Sequence, residues 1–511
     1  MDDDQGSRKR WYALMALAIF LHVLAMTNSD LGLDAHVRLN AAMDGQHDGQ
    51  DLAWGKLRIA DSSEQAPTNE QVYDGYIAPW FESELAAKFT AFVGVLCVAC
   101  LAGLSPRWAG PSQPFNPMKP ALILFSPIFL FVSARGYDEG VLAFVAGFGT
   151  VGFLFNQGEE RAQRLLHVVM MAASVMLVLG WKGFSPVASI GAFQLTVAVG
   201  VGWVVMEEKS AGSLGAWLVH PWKMASSCAL IVLVGVMVVG FMADTGTFAV
   251  IRQHPAEFMF ATTVALIHSV ALFLLVGFVL WPLLSVRWSS LSGLRGPGPT
   301  MLASYIAVLL AGIAAYIGAL WTLESQLWGR SLVETMLILG NNGRYATAVL
   351  LPLVFLLSWP TDEAQPEVAQ HEGTRIKLGL LVLLPLTLFV SFYGQQLWSD
   401  DAGAWLADTM DDDETCFVMV APETLAMHHL YVIKSNVDLT GERGIDGYWR
   451  SAPLVEDFIE SHPDCAGLML VAPGEDYTPG EAWVLVKEQA APYTLSGGAN
   501  AGSWKVFQAT G

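Results

Sequence analysis

Hydrophobic residues occur in long blocks that are separated by short polar segments. The clearest blocks are 11–26, 85–104, 165–179, 224–242, 259–284 and 302–320. Many of them reach the ~20 residues that a helix needs to cross the hydrocarbon core of a bilayer. Blocks 121–132 and 141–155 are shorter, but the charges on either side of them fit membrane spans. The pattern therefore predicts a polytopic α-helical membrane protein with about eleven transmembrane helices.

The overall composition supports this prediction. Of the 511 residues, 53% are hydrophobic and only 14% are charged, whereas an average soluble domain has about a quarter charged residues. The first block follows the basic triplet 8–10, and no small-residue cleavage site follows the block. We expect it to be a retained first helix, unlike a signal peptide, which is removed. The composition excludes an ordinary soluble enzyme.

Charges in the loops predict the orientation of the chain in the cell membrane. Lys and Arg are concentrated in loops on the N-terminal side, including Arg8, Arg107, Arg161 and Arg287, and loops rich in these residues are usually cytoplasmic. We therefore expect a cytoplasmic N-terminus. With an odd number of spans, the C-terminal region lies on the extracellular or periplasmic side. The first external loop then covers about 28–84.

The net charge of −20 is concentrated in the predicted external parts of the chain. Residues 395–511 contain 19 acidic and 5 basic residues, a net charge of 5 − 19 = −14, and the loop 28–84 is also acidic. Acidic surfaces repel nucleic acid and anionic lipid headgroups. A nucleic-acid partner is excluded, and the expected membrane contact is between lipid chains and the apolar spans.

The pattern changes after residue 394. Short apolar runs with the features of strands lie at 416–422, 466–473, 483–486 and 504–508. The first two end in Pro and are typical of buried parallel strands, and 454–461 has the pattern of an amphipathic helix. We predict a transmembrane domain, 1–394, and a small external α/β domain, 395–511.

The chain has five cysteines, two of which lie in the predicted external domain. Cys416 and Cys465 could form a disulfide, because an external compartment permits one. They could equally be two small buried residues. Two CxxC motifs in the CxxC…CxxC arrangement of a metal site do not occur in the sequence, and neither does a His-rich metal signature.

Candidate catalytic residues are grouped at the external ends of the predicted helices. The first group follows the first span and contains Asp30, Asp34, His36 and Arg38. A carboxylate at the mouth of a membrane cavity can accept a proton from a hydroxyl or bind a metal. Asp34 could also cap the helix that follows it, and the two roles are compatible.

The second group lies in the short loop 134–140 and contains Arg135, Asp138 and Glu139. The two acids could simply complement the dipole of the next helix. A cluster of three charged residues and a Tyr in so short a loop nevertheless favours a functional role.

The third group is the Arg344–Tyr345 pair, which opens a late span. Arg344 suits a phosphate, because its guanidinium is always charged and binds two oxygens at once. The alternative is an interfacial Arg that extends toward water beside a Tyr of the aromatic belt.

Together these features resemble the GT-C superfamily of membrane glycosyltransferases, in particular protein O-mannosyltransferases and lipid A aminoarabinose transferases. The resemblance covers roughly 11–360 and depends on the order and topology of the motifs. It matches Asp34 to a first acidic motif, the pair Asp138–Glu139 to a second one, and Arg344–Tyr345 to an Arg-Tyr pair before a Leu-Pro segment. The family often has Asp-Glu where this chain has Asp34 followed by Ala, so that either Asp30 or Asp34 could be the base.

The resemblance implies a GT-C-like fold and an inverting glycosyltransferase. A sugar would move from a polyprenyl-phosphate donor to a hydroxyl group of a protein, glycan or lipid acceptor, and Asp34 would be the catalytic base. Arg344, Tyr345 and Arg135 would bind the donor phosphate.

The same resemblance implies further roles for the remaining candidates. Asp30, His36 and Arg38 would be auxiliary residues of the site. A divalent metal ion is a possible cofactor, with Asp138, Glu139 and His254 as its candidate ligands.

Two other functions are compatible with the sequence. A transporter or flippase with an external sensing domain would need polar residues deep in its spans and inverted repeats. The predicted spans contain almost no acidic residues, which disfavours an ion-coupled transporter. An inactive structural subunit is the other alternative, because the second acid beside Asp34 is missing.

Overall fold

A computed structural model of the protein describes most of the chain. The described residues are 2–44, 83–105, 115–182, 184, 186–243, 247–277, 291–360, 366–393, 395–410, 414–422, 425–439, 443–492 and 502–510. The segment 45–82, which forms most of the predicted first external loop, lies outside them.

Helices make up most of the structure. In chain order they are α1 (Asp2–Asn28), α2 (Leu33–Asp44), α3 (Glu84–Leu104), α4 (Met118–Leu124), α5 (Pro127–Ala134), α6 (Glu139–Phe148), α7 (Arg161–Trp181), α8 (Pro186–Lys209), α9 (Gly212–Leu218), α10 (Pro221–Met242), α11 (Val250–Gln253), α12 (Pro255–His268), α13 (Pro297–Leu327), α14 (Leu332–Ile338), α15 (Leu350–Leu357), α16 (Pro366–Tyr393), α17 (Trp398–Thr409), α18 (Ala426–Val437) and α19 (Val455–Ser461). Helix α12 continues as a π-helix over Ser269–Val276.

Eight helical segments of the described chain are long and apolar enough to cross a membrane. Seven of them lie in α1, α3, α7, α8, α10, α12 with its π-helical continuation, and α13, and the eighth runs from α16 through α17. Large apolar side chains are exposed on several of them, such as Ile231 (69% exposed) and Met242 (77% exposed) on α10. Apolar surface of this extent is stable in a bilayer and not in water. The protein is therefore a multi-pass membrane protein, as the sequence predicts.

The predicted number of eleven spans is not confirmed, because three of the predicted spans are interrupted. Block 121–132 is divided between α4 and α5, since Pro127 has no N–H group and disfavours a helical residue before it. Block 141–155 becomes α6 and a short 3-10 helix, Val151–Leu154. The segment that Arg344 opens is a 3-10 helix, Gly340–Val349, followed by α15.

Close backbone contact between α3 and α6 fixes the start of α6. A Cβ atom at Gly94 would lie 2.5 Å from the carbonyl carbon of Gly140, and one at Gly140 would collide with the carbonyl oxygen of Ala91. Glycine at both positions allows the two helices to touch, as small residues do in membrane helix pairs. The contact holds Glu139, the residue next to Gly140, inside the bundle, where it is fully buried.

The C-terminal region is an α/β domain with a five-stranded sheet. Its strands are β1 (Cys416–Val420), β2 (Asp446–Arg450), β3 (Leu468–Val471), β4 (Trp483–Ala490) and β5 (Ser503–Ala509). The order is β2-β1-β3-β5-β4, with β1 parallel to β2 and β3, and β5 antiparallel to β3 and β4. All four predicted strands and the predicted helix at 454–461 are confirmed; β2, α17 and α18 were not predicted.

Both faces of this sheet are covered. Side chains of α17 and α18 pack on one face, around Phe417 and Leu470. Helix α19 packs on the other face, where Val455 and Phe458 contact alternate side chains of β1 and β3. Cys416 and Cys465 form a disulfide, which decides between the two possibilities that the sequence allows.

Candidate active site

A close approach between the start of α2 and the turn before α6 places Asp34. The amide of Gly32 donates to the carbonyl oxygen of Arg135 at 2.8 Å. A Cβ atom at Gly32 would lie 2.5 Å from Cζ of Tyr137. The turn contains Gly136, whose φ of +61° suits glycine. These contacts fix the first turn of α2, which contains Asp34, next to the loop 134–140 that holds the second predicted group.

Asp34 is the second residue of α2, and its side chain is 32% exposed. Its Oδ2 atom accepts a hydrogen bond from Nη2 of Arg344. Its Oδ1 atom lies 3.5 Å from Nε2 of His428, a residue of α18 in the C-terminal domain. A carboxylate in the first turn also interacts favourably with the positive end of the helix dipole. The catalytic and the helix-stabilising roles of Asp34 therefore remain compatible.

Arg344 is almost completely buried, with 1% of its side chain exposed. Its Nε atom lies 3.2 Å from Oε1 of Glu139, and Nη1 donates to Oδ1 of Asn342 at 3.2 Å. The guanidinium carbon lies 4.4 Å from the ring centre of Tyr137 and 5.0 Å from that of Tyr345. Such cation–π contacts are stronger when water is excluded. Two acids and two aromatic rings thus hold the positive charge in a fixed place. Arg344 is therefore not an interfacial residue that extends toward water.

Asp138 and Glu139 are both fully buried at the start of α6. Asp138 accepts hydrogen bonds from Nε1 of Trp181 at 3.0 Å and from Nζ of Lys182 at 3.2 Å. Nζ of Lys182 also lies 3.8 Å from Oε1 of Glu139 and 4.5 Å from the ring centre of Tyr345. Buried carboxylates are stable only with such partners. The second and third predicted groups therefore meet through Lys182 and Arg344.

We call Asp34, Asp138, Glu139, Lys182 and Arg344 the charged cluster. Three carboxylates and two cations give it a net charge of 2 − 3 = −1 when His428 is neutral. The cations lie between the acids, and Asp34 is the acid that is open to solvent. The cluster joins three separate parts of the sequence at one end of the helical bundle.

Sequence reasoning missed several members of this arrangement. Lys182 and Trp181 follow the apolar block 165–179, and nothing in the local pattern distinguishes Lys182 from an ordinary loop cation. His428 belongs to the C-terminal domain, in which the sequence suggested no catalytic candidate. The adjacent pair His428–His429 was a possible signal in the sequence. The two side chains have different partners, because Nδ1 of His429 lies 2.8 Å from Oγ of Ser399.

Asp30 and Arg135 lie in a different group, at the junction between the bundle and α17. The amide of Asp30 donates to the carbonyl oxygen of Gln395 at 2.9 Å, and its Oδ2 accepts from the amide of Leu397 at 2.6 Å. Nη1 of Arg135 donates to the same carbonyl oxygen of Gln395 at 3.1 Å. Burial, and then the carboxylate of Asp400, raise the pKa of Asp30 to about 6. Both side chains thus bind the backbone of the segment that leads into the C-terminal domain.

His36 is a contact between α2 and the C-terminal domain. It is buried, and its Nδ1 atom lies 3.0 Å from Oγ of Ser435 on α18. Burial lowers the pKa of His36 to about 3, so the ring is neutral. Arg38 lies in α2, but its side chain is outside the described part of the structure.

The metal ligands suggested by the resemblance are not assembled as a metal site. His254 lies 3.9 Å from Glu257, at the start of α12. Asp138 and Glu139 face Lys182 and Arg344, whose positive charges occupy the place of a cation. In the described part of the chain, His, Cys, Asp and Glu form no group of three that could hold a metal ion. These residues, as arranged, do not fit a divalent metal.

The comparisons with known proteins give two similar structures. No family model and no curated protein matches the chain. ArnT from Cupriavidus metallidurans bound to undecaprenyl phosphate matches with a TM-score of 0.42 and 13% identity, over 97% of each chain. ArnT from the same organism in the apo state matches with a TM-score of 0.33 and 13% identity, over 91% of this chain and 94% of that one. At 13% identity and with TM-scores below 0.5, these matches carry no functional argument, so the function rests on the residues of this chain.

Proposed function

We propose that this protein is a membrane glycosyltransferase that moves a sugar from a polyprenyl-phosphate donor to an acceptor hydroxyl. The observation that carries the proposal is the pairing of a partly exposed carboxylate, Asp34, with a buried arginine, Arg344. A carboxylate open to solvent can take a proton. A fixed, dehydrated guanidinium can stabilise negative charge on a phosphate. Both groups are needed at one place for this transfer.

Asp34 is the base in this mechanism. The acceptor oxygen attacks the anomeric carbon, and its proton passes to the carboxylate of Asp34. The bond between the anomeric carbon and the phosphate oxygen breaks, and its electron pair remains on the phosphate. Attack from the side opposite the leaving group inverts the anomeric centre. The alternative base, Asp30, binds the amide of Leu397 at the junction and lies in a different group.

Arg344 and Lys182 are the cations that receive the leaving group. The phosphate gains one negative charge when the sugar departs, while Asp34 loses one by taking the proton. The combined charge of the cluster and the leaving group therefore stays constant during transfer. The cations and the carboxylate are already in position before the reaction. The surroundings therefore need to reorganise little as the charge moves.

The ion pair of Asp34 and Arg344 must open before the reaction. An arginine beside a carboxylate favours its ionised form and weakens it as a base. A donor phosphate is itself a strong bidentate partner for arginine. We infer that the donor phosphate binds Arg344 in place of Asp34 and so releases Asp34 toward the acceptor.

The other predicted residues have supporting roles in this proposal. Asp138 and Glu139 hold Lys182 and Arg344 in place, and Tyr345 contacts both cations. Arg135 is assigned to the junction and no longer to the donor phosphate, because its guanidinium binds the carbonyl oxygen of Gln395. No step passes through a metal ion.

The proposed site lies on the outer face of the cell membrane. This placement retains the predicted cytoplasmic N-terminus and the extracellular or periplasmic C-terminal domain. It also brings an acceptor hydroxyl and a lipid-anchored donor to the same surface. Acceptors of protein, glycan or lipid type all supply the hydroxyl that the reaction requires.

The test is release of radiolabelled sugar from polyprenyl-phosphate donors by the purified protein in lipid nanodiscs. A panel of donor sugars is offered to the wild type, Asp34→Asn and Arg344→Lys. We expect transfer or slow hydrolysis by the wild type and a loss of at least ~100-fold in Asp34→Asn. Arg344→Lys keeps the charge but loses the two-pronged geometry, so it should be impaired as well.

The matched control is Asp30→Asn, which removes a neighbouring carboxylate outside the charged cluster. It should retain most of the activity. Loss of activity in Asp30→Asn with full activity in Asp34→Asn would assign the base to Asp30. Absence of donor cleavage by a folded wild-type protein, with all common donor sugars, would reject the proposed function.

A further inference from the structure

The two carboxylate oxygens of Asp34 face different partners. Oδ2 accepts a hydrogen bond from Nη2 of Arg344, which belongs to the helical bundle. Oδ1 lies 3.5 Å from Nε2 of His428, which belongs to the C-terminal domain. The proposed reaction displaces Arg344 from Oδ2, because the donor phosphate takes its place. His428 is then the neighbour that can hold the carboxylate through Oδ1.

Asp34 and His428 lie on two helices that pack against each other. Asp34 is in the first turn of α2, and His428 is the third residue of α18. Nδ1 of His36 on α2 lies 3.0 Å from Oγ of Ser435 on α18, and Val37 of α2 packs against the core of the C-terminal domain. The docking of this domain on α2 therefore holds His428 beside the proposed base.

The backbone at the start of α18 is strained. Leu425, three residues before His428, has a φ of +59°, the one positive φ of a non-glycine residue in the described chain. Such a conformation is costly for leucine and persists where the surrounding structure imposes it, commonly at functional sites. Leu425 sets the direction in which the chain enters α18, and so the position of His428.

His428 is close to Asp34 but is too far away for a good hydrogen bond. The nitrogen and oxygen atoms of an N–H···O bond are about 2.7–3.2 Å apart, whereas Nε2 and Oδ1 are 3.5 Å apart. Arg344 holds the carboxylate from its other side. Once Arg344 binds a phosphate instead, Asp34 can move the remaining distance. Hydrogen bonds of catalytic groups commonly shorten when the substrate binds.

We propose that His428 is a positioning residue for the base, and that Asp34 passes from Arg344 to His428 when the donor phosphate binds. The neutral imidazole donates its Nε2–H to Oδ1, since an ionised carboxylate only accepts. Oδ2 then takes the proton of the acceptor hydroxyl as the oxygen of that hydroxyl bonds to the sugar. The inference rests on the proposed function, because it assigns a step within that reaction.

This exchange of partners makes Asp34 a stronger base. Hydrogen bonds from a charged donor are about twice as strong as those from a neutral donor, and a guanidinium is always charged. A carboxylate that exchanges Arg344 for a neutral imidazole therefore binds a proton more readily. The negative charge of the donor phosphate acts in the same direction. Donor binding thus activates the base.

The experiment measures kcat, the KM for the donor and the affinity for polyprenyl phosphate, with the full-length protein in nanodiscs. His428→Leu removes the N–H donor, and His428→Gln retains an N–H group at a similar reach. The control is His462→Leu. His462 is exposed and follows α19, which packs on the other face of the sheet.

We expect His428→Leu to lower kcat about tenfold or more, with a smaller change in KM, because the hydrogen bond forms after the donor has bound. His428→Gln should recover most of kcat, and His462→Leu should match the wild type. A residue that only stabilised the fold would show neither the selective loss of kcat nor the recovery in His428→Gln. An unchanged kcat in His428→Leu, or equal losses in the two His428 variants, overturns the assignment.

A second measurement needs no turnover and so separates this inference from the proposed function. The protein is isotopically labelled at Cε1 of histidine for NMR. It has 11 histidines, and the signal of His428 is identified by its absence from His428→Gln. We expect polyprenyl phosphate to shift this signal in the wild type but not in Asp34→Asn, which lacks the carboxylate that moves.

Each outcome of the NMR experiment decides the inference. A shift confined to the wild type supports it even if the protein cleaves no donor. Binding of polyprenyl phosphate without a shift, or with an equal shift in Asp34→Asn, overturns it even if the protein transfers sugar. Failure of the wild type to bind polyprenyl phosphate overturns both this inference and the proposed donor.

Discussion

Asp34 and Arg344 are 310 positions apart in the chain and form an ion pair in which the two partners differ in their surroundings. The arginine side chain is 1% exposed and the aspartate side chain is 32% exposed. The arginine is also held by Glu139, so it does not depend on Asp34 for all of its neutralisation. Asp34 can therefore move away from Arg344, and the buried arginine remains paired with Glu139.

This relationship predicts that Asp34 competes with phosphate for Arg344. Asp34→Asn removes the competing charge, and we expect it to bind polyprenyl phosphate at least as tightly as the wild type while losing turnover. A carboxylate whose only role was to bind the donor would show weaker binding in the same variant. Equilibrium binding of fluorescent polyprenyl phosphate in nanodiscs measures the difference.

Arg344→Lys is the companion variant for that measurement. It should bind polyprenyl phosphate more weakly than the wild type, because a lysine ammonium lacks the planar, two-pronged geometry of the guanidinium. Unchanged or tighter binding in Asp34→Asn together with weaker binding in Arg344→Lys is the expected combination. Weaker binding in both would contradict the competition between Asp34 and phosphate.

The buried pair of Glu139 and Arg344 leads to a prediction about stability. Arg344→Met leaves the carboxylate of Glu139 buried with less positive charge nearby, and loss of one partner of a buried pair costs about 3–5 kcal/mol. Glu139→Gln in the same chain removes that charge. We expect the double variant Arg344→Met/Glu139→Gln to recover most of the loss, as measured by thermal unfolding in nanodiscs.

Activity serves as the control for this pair of variants. Both the single and the double variant should be inactive, because Arg344 binds the leaving group in the proposed mechanism. Recovered stability without recovered activity separates the structural role of the ion pair from its catalytic role. A double variant that is no more stable than Arg344→Met would show that Glu139 does not depend on Arg344.

Gly32 offers a test of how Asp34 is positioned. Its Cβ position lies 2.5 Å from Cζ of the Tyr137 ring, which is buried. Gly32→Ala should therefore displace the first turn of α2 and lower the rate of transfer more than tenfold. Gly312→Ala is the control, since open space surrounds the Cβ position of Gly312 on α13. Equal rates for the two variants would mean that the approach of Gly32 to Tyr137 does not place Asp34.

Much of the candidate site could be predicted from the sequence, because its acids and its arginine are unusual at the ends of apolar segments. Asp34, Asp138, Glu139 and Arg344 were selected on that ground, and the structure brings all four together. The strands around Cys416 and Leu468 were predictable because buried parallel strands have continuous apolar runs. Strand β2 has only alternate residues buried, and so short a pattern gives a weak signal.

The remaining features depend on tertiary structure. The sequence around Lys182 does not differ from that around other Lys and Arg residues in loops. Its position near Asp138 and Glu139 follows from the packing of α7 against α6. His428 reaches Asp34 only because α18 packs on α2. The segments around Pro127 and Gly340–Val349 are apolar enough to be predicted as continuous spans. Hydropathy does not detect a local break or change of helix type, so these interruptions were not predicted.

The pKa of Asp30, raised from 3.8 to about 6 by burial and by Asp400, predicts a pH dependence of stability. Below about pH 4 the carboxyl group is protonated in both the folded and the unfolded state. Between about pH 4 and pH 6 the folded state holds the proton more tightly, so stability falls as the pH rises. Above pH 6 the group is ionised in both states, and the loss reaches up to about 3 kcal/mol.

Asp30→Asn isolates this contribution, because the amide oxygen can still accept from the amide of Leu397. We expect the variant to match the wild type near pH 4 and to unfold at a higher temperature above pH 6, in nanodiscs scanned from pH 4 to pH 8. Asp408→Asn, at an exposed acid of α17, should show no such pH-dependent difference. If Asp30→Asn is less stable than the wild type at pH 7, the ionised carboxylate stabilises the junction, because its hydrogen bond to Leu397 then outweighs the cost of burial.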